Sequence, residues 1–250
     1  MSVALGLYAM WLRELKVYLR ERSRVVSSVF MPLMWLIVFG KGLGSTISIE
    51  NMSYDVFIYP GIIGMATLFG SLFFGVYIIW DKKVDFLKEV LVSPLSRTTI
   101  FLGKVLGGIT DVLIQVTILL MLGPLLGVPM TFSKMALAYI VVITLAIAIV
   151  SIGLIIGSVM ESPEGFGLIV TFVAYPLFFL SGALFPIENI PLWLKPFIFI
   201  DPLTYGVDAL RQIILGTGRF PLSISYSILL GFAALMVYIG TIAFERMKAY

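Results

Sequence analysis

Six long apolar stretches, separated by short polar segments, dominate the hydrophobic pattern of this 250-residue chain. A helix of about 20 apolar residues is long enough to cross the hydrocarbon core of a bilayer. Turn-forming residues such as Gly44, Pro94 and Pro163 punctuate the pattern between the stretches. It therefore predicts an all-α polytopic membrane protein, a single domain over residues 1–250, with spans at 25–43, 58–80, 100–126, 134–159, 166–184 and 222–243.

The N-terminal segment, residues 1–24, is amphipathic rather than uniformly apolar. Apolar residues recur at helical spacing, as at Leu5, Leu12 and Leu19, and the charged residue Glu14 falls on the other side. A basic amphipathic helix with aromatic residues on its apolar side is typical of the membrane interface. We expect an interfacial helix here; a helix packed on a soluble partner protein is the alternative.

A short amphipathic helix is predicted over residues 81–93, between the second and third spans. Its apolar residues follow i, i+3, i+7 spacing: Val84, Leu87 and Leu91. Pro94 ends the helix, which is too short to span a bilayer and must rest on the membrane or on a partner. The charges of Asp85 and Glu89 suit docking onto a soluble protein, and a solvated loop helix is the alternative.

The stretch between the fifth and sixth spans is apolar but broken by prolines, so no continuous span fits there. Asp201 is placed to cap a short helix over 203–215, with Pro202 in its first turn. We expect a re-entrant helical segment over 185–215 on the outer face, with an ordinary outer loop as the alternative. Asp208 and Arg211 are three residues apart and are expected to pair.

Composition supports the membrane assignment, with 60% hydrophobic and 12% charged residues and a mean hydropathy of +1.08. Soluble domains have about 45–50% apolar and about 25% charged residues, so a soluble enzyme is excluded. The chain has no cysteine and no histidine, which disfavours an intramembrane enzyme and leaves no metal or cofactor to expect in this chain. A net charge of +3 gives no reason to expect nucleic acid.

The distribution of positive charge predicts the orientation. Eleven of the 17 lysine and arginine residues fall on the side that carries both termini. The positive-inside rule therefore places both termini in the cytoplasm of a plasma or inner membrane.

Ionisable residues inside the predicted spans are the main functional candidates, because each costs a few kcal/mol at the bilayer centre. Asp111 lies inside the third span, with Gln115 one turn later on the same face. Lys104 is placed to pair with Asp111 through a water molecule or to extend to the cytoplasm. A structural polar contact and a role in lining a substrate path both remain open for Asp111. Small residues four apart predict close helix packing within the chain: Gly103 with Gly107, and Gly153 with Gly157.

Four strings are distinctive: FGKGLG at 39–44, EVLVSPLSR at 89–97 followed by Lys104, FLSGALFPIENIP at 179–191 and PLTYGVDALR at 202–211. Together with the order of elements they resemble the membrane subunit of an ABC-2 type transporter, specifically the daunorubicin-type drug-resistance permease branch. The chain carries no phosphate-binding loop of its own. The resemblance implies two copies of this subunit and two copies of a separate ABC ATPase, which binds ATP and Mg²⁺.

On this resemblance the helix after the second span is the coupling helix that seats on the ATPase, with the candidate residues Asp85, Leu87, Glu89, Leu91, Pro94 and Arg97. The outer segment would act as a gate, with the candidate residues Pro186, Pro202, Tyr205, Asp208 and Arg211. Export of a drug-like or lipid-like amphiphile is the implied activity. The alternative is an ion-coupled secondary transporter that uses Asp111.

Overall fold

The computed structural model describes residues 3–44, 48–49, 52–128, 130–187 and 190–247. The described chain is almost wholly helical, and its α-helices are α1 Val3–Arg20, α2 Arg22–Trp35, α3 Gly42–Gly44, α4 Tyr54–Phe73, α5 Val76–Lys83, α6 Phe86–Val92, α7 Arg97–Leu122, α8 Phe132–Val159, α9 Pro163–Leu180, α10 Lys195–Ile200, α11 Pro202–Leu215 and α12 Leu222–Glu245. Two-residue strands, β1 Ser48–Ile49 and β2 Met52–Ser53, pair antiparallel between the first and second spans. Positions 1, 2, 188 and 189 of the predicted segments lie outside the described residues.

Six of the described helical segments are long and apolar enough to cross a membrane, which confirms the all-α polytopic fold: Arg22–Lys41, Tyr54–Lys83, Arg97–Leu126, Phe132–Val159, Pro163–Leu180 and Leu222–Glu245. The first span starts at Arg22, three residues earlier than predicted, and ends as a π-helix over Leu36–Lys41. The second, third and fourth spans form the centre of the bundle, whereas the first, fifth and sixth are mostly exposed to its surroundings. We call the side that carries α1 the N-terminal side and the other side the distal side.

The central spans touch backbone to backbone at glycines. A β-carbon added at Gly153 would collide with the carbonyl of Leu72, and one at Gly157 with the carbonyl of Gly75. Such small-residue contacts let membrane helices approach closely. The predicted packing role of the Gly153 and Gly157 pair is confirmed as a contact between the second and fourth spans.

Helix α1 lies against α7, in a groove formed by the other glycine pair. A β-carbon at Gly103 would meet Met10, and one at Gly107 would meet Glu14. The buried residues of α1 recur every four positions: Gly6, Met10, Glu14 and Tyr18. The predicted apolar face, including Leu5 and Leu19, points away from the bundle instead. Glu14, expected on the polar side, is therefore one of the residues that α1 buries against α7.

The predicted single helix over 81–93 is wrong in its bounds. Helix α5 continues the second span to Lys83, and a turn follows in which Asp85 has a left-handed backbone with φ 57°. A separate seven-residue helix, α6, then covers Phe86–Val92. A left-handed residue breaks helical hydrogen bonding, which is why the two helices are distinct.

Within the segment between the fifth and sixth spans, α11 is largely buried, whereas residues 191–200 are mostly exposed. The side chain of Asp201 accepts a hydrogen bond from the backbone nitrogen of Leu203 at 2.8 Å, which confirms the predicted N-cap. Helix α11 packs against α4, α8 and α12, and most of its residues are buried. An ordinary outer loop is thereby excluded for Pro202–Leu215.

Basic side chains cap the C-terminal ends of several helices. The Nζ atom of Lys82 lies 2.6 Å from the carbonyl oxygen of Ser158, at the end of α8. Arg97 donates to the backbone carbonyls of Glu245 and Met247 at the end of α12, and Lys134 donates to that of Ile214 in α11. Cations are favourable at helix C-termini because the last carbonyls carry partial negative charge.

Candidate functional site

On the N-terminal side, two charged side chains of α1 contact one of α5 and one of α7. We call these residues, Arg13, Glu14, Asp81 and Lys104, the four-charge cluster. The Nζ atom of Lys104 lies 2.9 Å from Glu14 Oε1 and 2.5 Å from Asp81 Oδ2. Arg13 lies 2.7 Å from Glu14 Oε1 and also binds the carboxylate of Asp81 through both terminal nitrogens. The cluster balances two positive and two negative charges; Lys104, Glu14 and Asp81 are buried, and Arg13 is 27% exposed.

Electrostatics favour the ionised form of this cluster. Burial opposes ionisation of Glu14, but the adjacent charges of Lys104 and Arg13 outweigh it and hold the pKa of the Glu14 carboxyl below its ordinary value. Burial likewise opposes the charge of Arg13, yet Glu14 and Asp81 raise the pKa of its guanidinium. The expected pairing of Lys104 with Asp111 is wrong, because Lys104 binds Glu14 and Asp81 instead.

The four-charge cluster is joined directly to α6. Asp81 lies in the last turns of α5, and the guanidinium of Arg13 lies 4.1 Å from the ring centroid of Phe86, the first residue of α6. Arg13, a residue of α1, therefore contacts both α5 and α6. A displacement of α6 would act on α1 through this side chain.

The predicted coupling residues divide between surface and core. Asp85 and Glu89 are exposed, and Lys88 Nζ lies 2.8 Å from Asp85 Oδ1. Leu87 is buried in the hydrophobic core, so it supports α6 from beneath and presents nothing to a partner. Pro94 is exposed, whereas Arg97 caps α12. The side chain of Leu91 lies outside the described part of the structure.

A second buried ion pair forms where α1, α2, α5 and α7 meet. Arg24 Nη2 lies 2.6 Å from Asp111 Oδ2, and the guanidinium carbon lies 4.0 Å from the ring centroid of Tyr77 and 5.0 Å from that of Tyr18. Phe74 completes the surround at 5.7 Å. We call Arg24 with Asp111, Tyr18, Phe74 and Tyr77 the Arg24 cage.

A cavity of about 500 Å³ adjoins the Arg24 cage between the first, second and fifth spans. Its polar end is formed by Arg24, Ser27, Ser28, Tyr77 and Gln115. Its other end is apolar and largely aromatic, with Met31, Trp35, Met65, Phe69, Tyr175 and Phe178. The cavity is thus amphipathic, and we call it the span-one cavity.

Gln115 and Asp111 occupy the same face of α7 but have different neighbours. Gln115 lines the span-one cavity and donates to the carbonyl oxygen of Ser28 at 2.5 Å. Asp111 lies behind Arg24, and its Oδ1 atom is buried with no hydrogen-bond partner among the described residues. Of these two intramembrane candidates, Gln115 borders the cavity directly, whereas Asp111 does not line it and is paired with Arg24, which does.

The predicted outer residues belong to the packed part of the distal side. The expected pair of Asp208 and Arg211 is not formed: Asp208 accepts from the backbone nitrogen of Arg219 at 2.7 Å and from Ser225 Oγ at 3.0 Å. Arg211 donates to the carbonyl oxygen of Gly182 at 2.8 Å. Tyr205 donates to the carbonyl oxygen of Phe199 at 2.8 Å.

The two outer prolines have different surroundings. Pro202 is buried in the first turn of α11, whereas Pro186 is half-buried beside a polar cavity of about 330 Å³. Four of the five predicted gate residues therefore lie inside packed structure, and only Pro186 keeps substantial exposure.

Sequence reasoning missed Arg13, Glu14, Arg24 and Asp81 as site residues. Arg24 was counted with the basic residues before the first span, and Asp81 with the coupling segment. The available signal was the spacing of charges around the span ends: Arg24 lies three residues after Glu21, and Asp81 directly follows the interfacial Trp80. Which charges pair depends on how α1 is placed, and the sequence does not show that.

Curated relatives with similar sequences are transport permeases. The chain is 29% identical over 206 residues to the putative transport permease ycf38 of Cyanophora paradoxa, covering 80% of this chain and 71% of the relative. It is 27% identical over 235 residues to the inner membrane transport permease YadH of Escherichia coli K12, covering 91% of this chain and 90% of the relative.

A third relative has a more specific name. The probable multidrug ABC transporter permease YbhR of Escherichia coli K12 is 29% identical over 167 residues, which is 66% of this chain but only 45% of the relative. The family model described as ABC-2 type transporter matches residues 6–215, from α1 to the end of α11. This chain belongs to the ABC-2 type transporter family and is a membrane permease of an ABC transporter.

Proposed function

We propose that this chain is the membrane half of an ATP-driven exporter that works as two copies of this subunit and two copies of a separately encoded ATPase. The ATPase would bind ATP and Mg²⁺, and this chain would hold the substrate path. Both termini and α6 would face the cytoplasm of a plasma or inner membrane, as the distribution of positive charge favours. A drug-like or lipid-like amphiphile suits the amphipathic span-one cavity.

The observation that carries this proposal is the link from the surface of α6 to the four-charge cluster. Asp85, Lys88 and Glu89 are exposed charges on a short element that a soluble partner can reach. Beneath them, Arg13 joins Phe86 to α1 and to Asp81. A push on α6 would therefore reach α1 and α5 through Arg13, and α7 through Lys104, without any flexible linker, as rigid-body alternation requires.

The ion-coupled alternative is not retained, because the chain belongs to an ABC transporter family. The structure also gives Asp111 a protein counter-ion in Arg24 at 2.6 Å. Because Asp111 is already paired with a protein cation, we do not assign it the role of a site for a coupling ion.

Co-purification with the ATPase encoded nearest to this gene tests the proposal. Glu89→Arg reverses an exposed charge of α6, and Glu164→Arg makes the same change at an exposed residue in the first turn of α9, on the same side. We expect Glu89→Arg to lower ATPase capture and stimulation at least tenfold and Glu164→Arg to leave both near wild type. Equal capture by the two variants would contradict docking on α6, and failure of the wild type to bind or stimulate any ATPase would contradict the proposed function.

A further inference from the structure

The Arg24 cage has the composition of a site that binds an organic cation. Three aromatic rings and one carboxylate surround the guanidinium carbon of Arg24, with ring centroids at 4.0, 5.0 and 5.7 Å. Aromatic faces carry negative potential, and aromatic groups around a positive charge are the usual means of recognising ligand cations. Here the occupant is a side chain of the protein itself.

The Arg24 cage shares part of its wall with the span-one cavity. Arg24, Phe74 and Tyr77 line the cavity, whereas Asp111 lies behind Arg24 and does not. Gln115 lines the cavity one helical turn beyond Asp111. If the guanidinium moved out, the carboxylate of Asp111 and the faces of Phe74 and Tyr77 would border one continuous space.

The carboxylate of Glu21 lies close enough to Arg24 to serve as an alternative ion-pair partner. Its Nη1 atom lies 3.9 Å from Glu21 Oε2, and the side chain of Glu21 is 44% exposed at the junction of α1 and α2. Glu21 also accepts a hydrogen bond from Tyr77 at 3.0 Å, so it is held beside the cage. A rotation of the Arg24 side chain can therefore exchange Asp111 for Glu21 without leaving the guanidinium unpaired.

We propose that the span-one cavity accepts a lipophilic organic cation, whose charged group displaces Arg24 from Asp111 while its apolar body fills the aromatic end. Arg24 acts as a tethered stand-in for the substrate and closes the cage when the site is empty. This inference rests on the proposed function, because it names the class of molecule that the permease would carry.

An anionic amphiphile fits these contacts less well. It would have to take Arg24 from Asp111 and leave that carboxylate buried without a cation, which is strongly unfavourable. A cation instead finds Asp111 already in place, with Oδ1 buried and lacking a partner among the described residues. The apolar lining, with Trp35, Phe69 and Phe178, suits a hydrophobic body on either ligand, so the charged end decides.

Tetraphenylphosphonium and tetraphenylborate test the sign of the charge directly, because they share one shape and carry opposite charges. Binding to the purified full chain in detergent is measured by isothermal titration calorimetry, with quenching of the chain's tryptophan fluorescence, to which the cavity residue Trp35 contributes, as a second readout. We expect saturable binding of the phosphonium. Asp111→Asn should weaken it at least tenfold, and Arg24→Gln should strengthen it several-fold because the tethered competitor is gone. Arg24→Lys keeps a competing cation and should remain near wild type.

Three results would overturn the assignment. The first is a phosphonium affinity that Asp111→Asn leaves unchanged. The second is a folded Arg24→Gln variant that no longer binds the phosphonium. The third is tighter binding of the borate than of the phosphonium, with the borate binding lost in Arg24→Gln. Thermal unfolding and size-exclusion chromatography establish that each variant is folded. If Arg24→Gln does not fold, the comparison of the two single variants Arg24→Lys and Asp111→Asn tests the proposal. The assay needs neither ATP nor the ATPase. If the phosphonium does not bind but the ATPase is still captured, only the proposed substrate class is refuted. If the phosphonium binds but the ATPase is not captured, only the proposed function is refuted.

Discussion

Removing the ammonium group of Lys104 tests whether the four-charge cluster holds α1 on the bundle. Lys104→Met keeps a long apolar stem but leaves the buried carboxylates of Glu14 and Asp81 with Arg13 as their sole cation in the cluster. Breaking a buried ion pair by removing one partner costs about 3–5 kcal/mol. For a chain of this size that corresponds to a fall of about 6–20 °C in the midpoint of thermal unfolding.

A compensated variant separates charge imbalance from simple loss of contact. Glu14→Gln combined with Lys104→Met leaves Arg13 and Asp81 as a balanced pair that already shares two hydrogen bonds. We expect the double variant to recover more than half of the stability lost by Lys104→Met alone. The double-mutant cycle then gives the coupling between Glu14 and Lys104, which are in direct contact.

A cysteine reporter follows α1 itself, since the chain contains no cysteine. Met10→Cys places a thiol on the buried face of α1, and Leu19→Cys places one on its exposed face. In the otherwise wild-type chain a maleimide should label position 19 and spare position 10. With Lys104→Met both positions should react. An unfolding midpoint within about 1 °C of wild type, together with an unreactive position 10, would refute the idea that the cluster holds α1.

Three further outcomes follow from the same packing. Gly103→Leu should lower the unfolding midpoint by forcing α1 away from α7, whereas Gly231→Leu, where a β-carbon meets nothing within 4 Å, should leave it near wild type. Lys82→Met should cost about 1–3 kcal/mol in the free energy of unfolding by uncapping α8, and Lys83→Met at the exposed neighbouring position should not. Because folding lowers the pKa of Glu14, its stabilisation is complete above the unfolded pKa of about 4.3 and is lost as the pH falls toward the folded value. Thermal melts should therefore show a higher unfolding midpoint for wild type than for Glu14→Gln at pH 7, and this difference should shrink as the pH is lowered below the unfolded pKa; a constant difference would contradict this.

The positions of the spans could be predicted because they depend on local properties of the chain. Length and apolarity alone define a membrane-crossing helix, and both are read directly from the sequence. The N-cap at Asp201 and the close contact at Gly153 and Gly157 were predictable for the same reason, since each follows from a short pattern. The bounds of α6 were not, because aspartate adopts the left-handed region more often than most residues but still only occasionally, so its presence at position 85 does not by itself predict a break.

The pairs of Lys104 with Glu14 and of Arg24 with Asp111 could not be predicted, because each joins residues from distant parts of the chain. Lys104 was expected to pair with Asp111, seven residues away on α7. It binds Glu14 and Asp81 instead because the Gly103 and Gly107 groove seats α1 directly over it. Pairing within one helix is easy to propose from spacing, but a buried charge takes whichever partner tertiary packing brings closest.

The same placement of α1 ties the four-charge cluster to the Arg24 cage. Glu14 and Tyr18 are one turn apart on the buried face of α1, so one helix carries a member of each group. A rigid helix that lifts at Glu14 must also move Tyr18 away from Arg24. Lys104→Met should therefore change the affinity for tetraphenylphosphonium although Lys104 does not line the span-one cavity.

A matched control makes this coupling specific. Lys82→Met also removes a buried cationic contact, but that contact is with the end of α8, away from α1. If phosphonium affinity changes in Lys104→Met and not in a comparably destabilised Lys82→Met, the effect passes through α1 and not through general loosening of the bundle. Equal changes in phosphonium affinity in both variants would contradict a coupling of the four-charge cluster to the Arg24 cage through α1. A permease driven from α6 needs such a connection, because the four-charge cluster is where α6 meets α1 and Tyr18 is where α1 meets the cage.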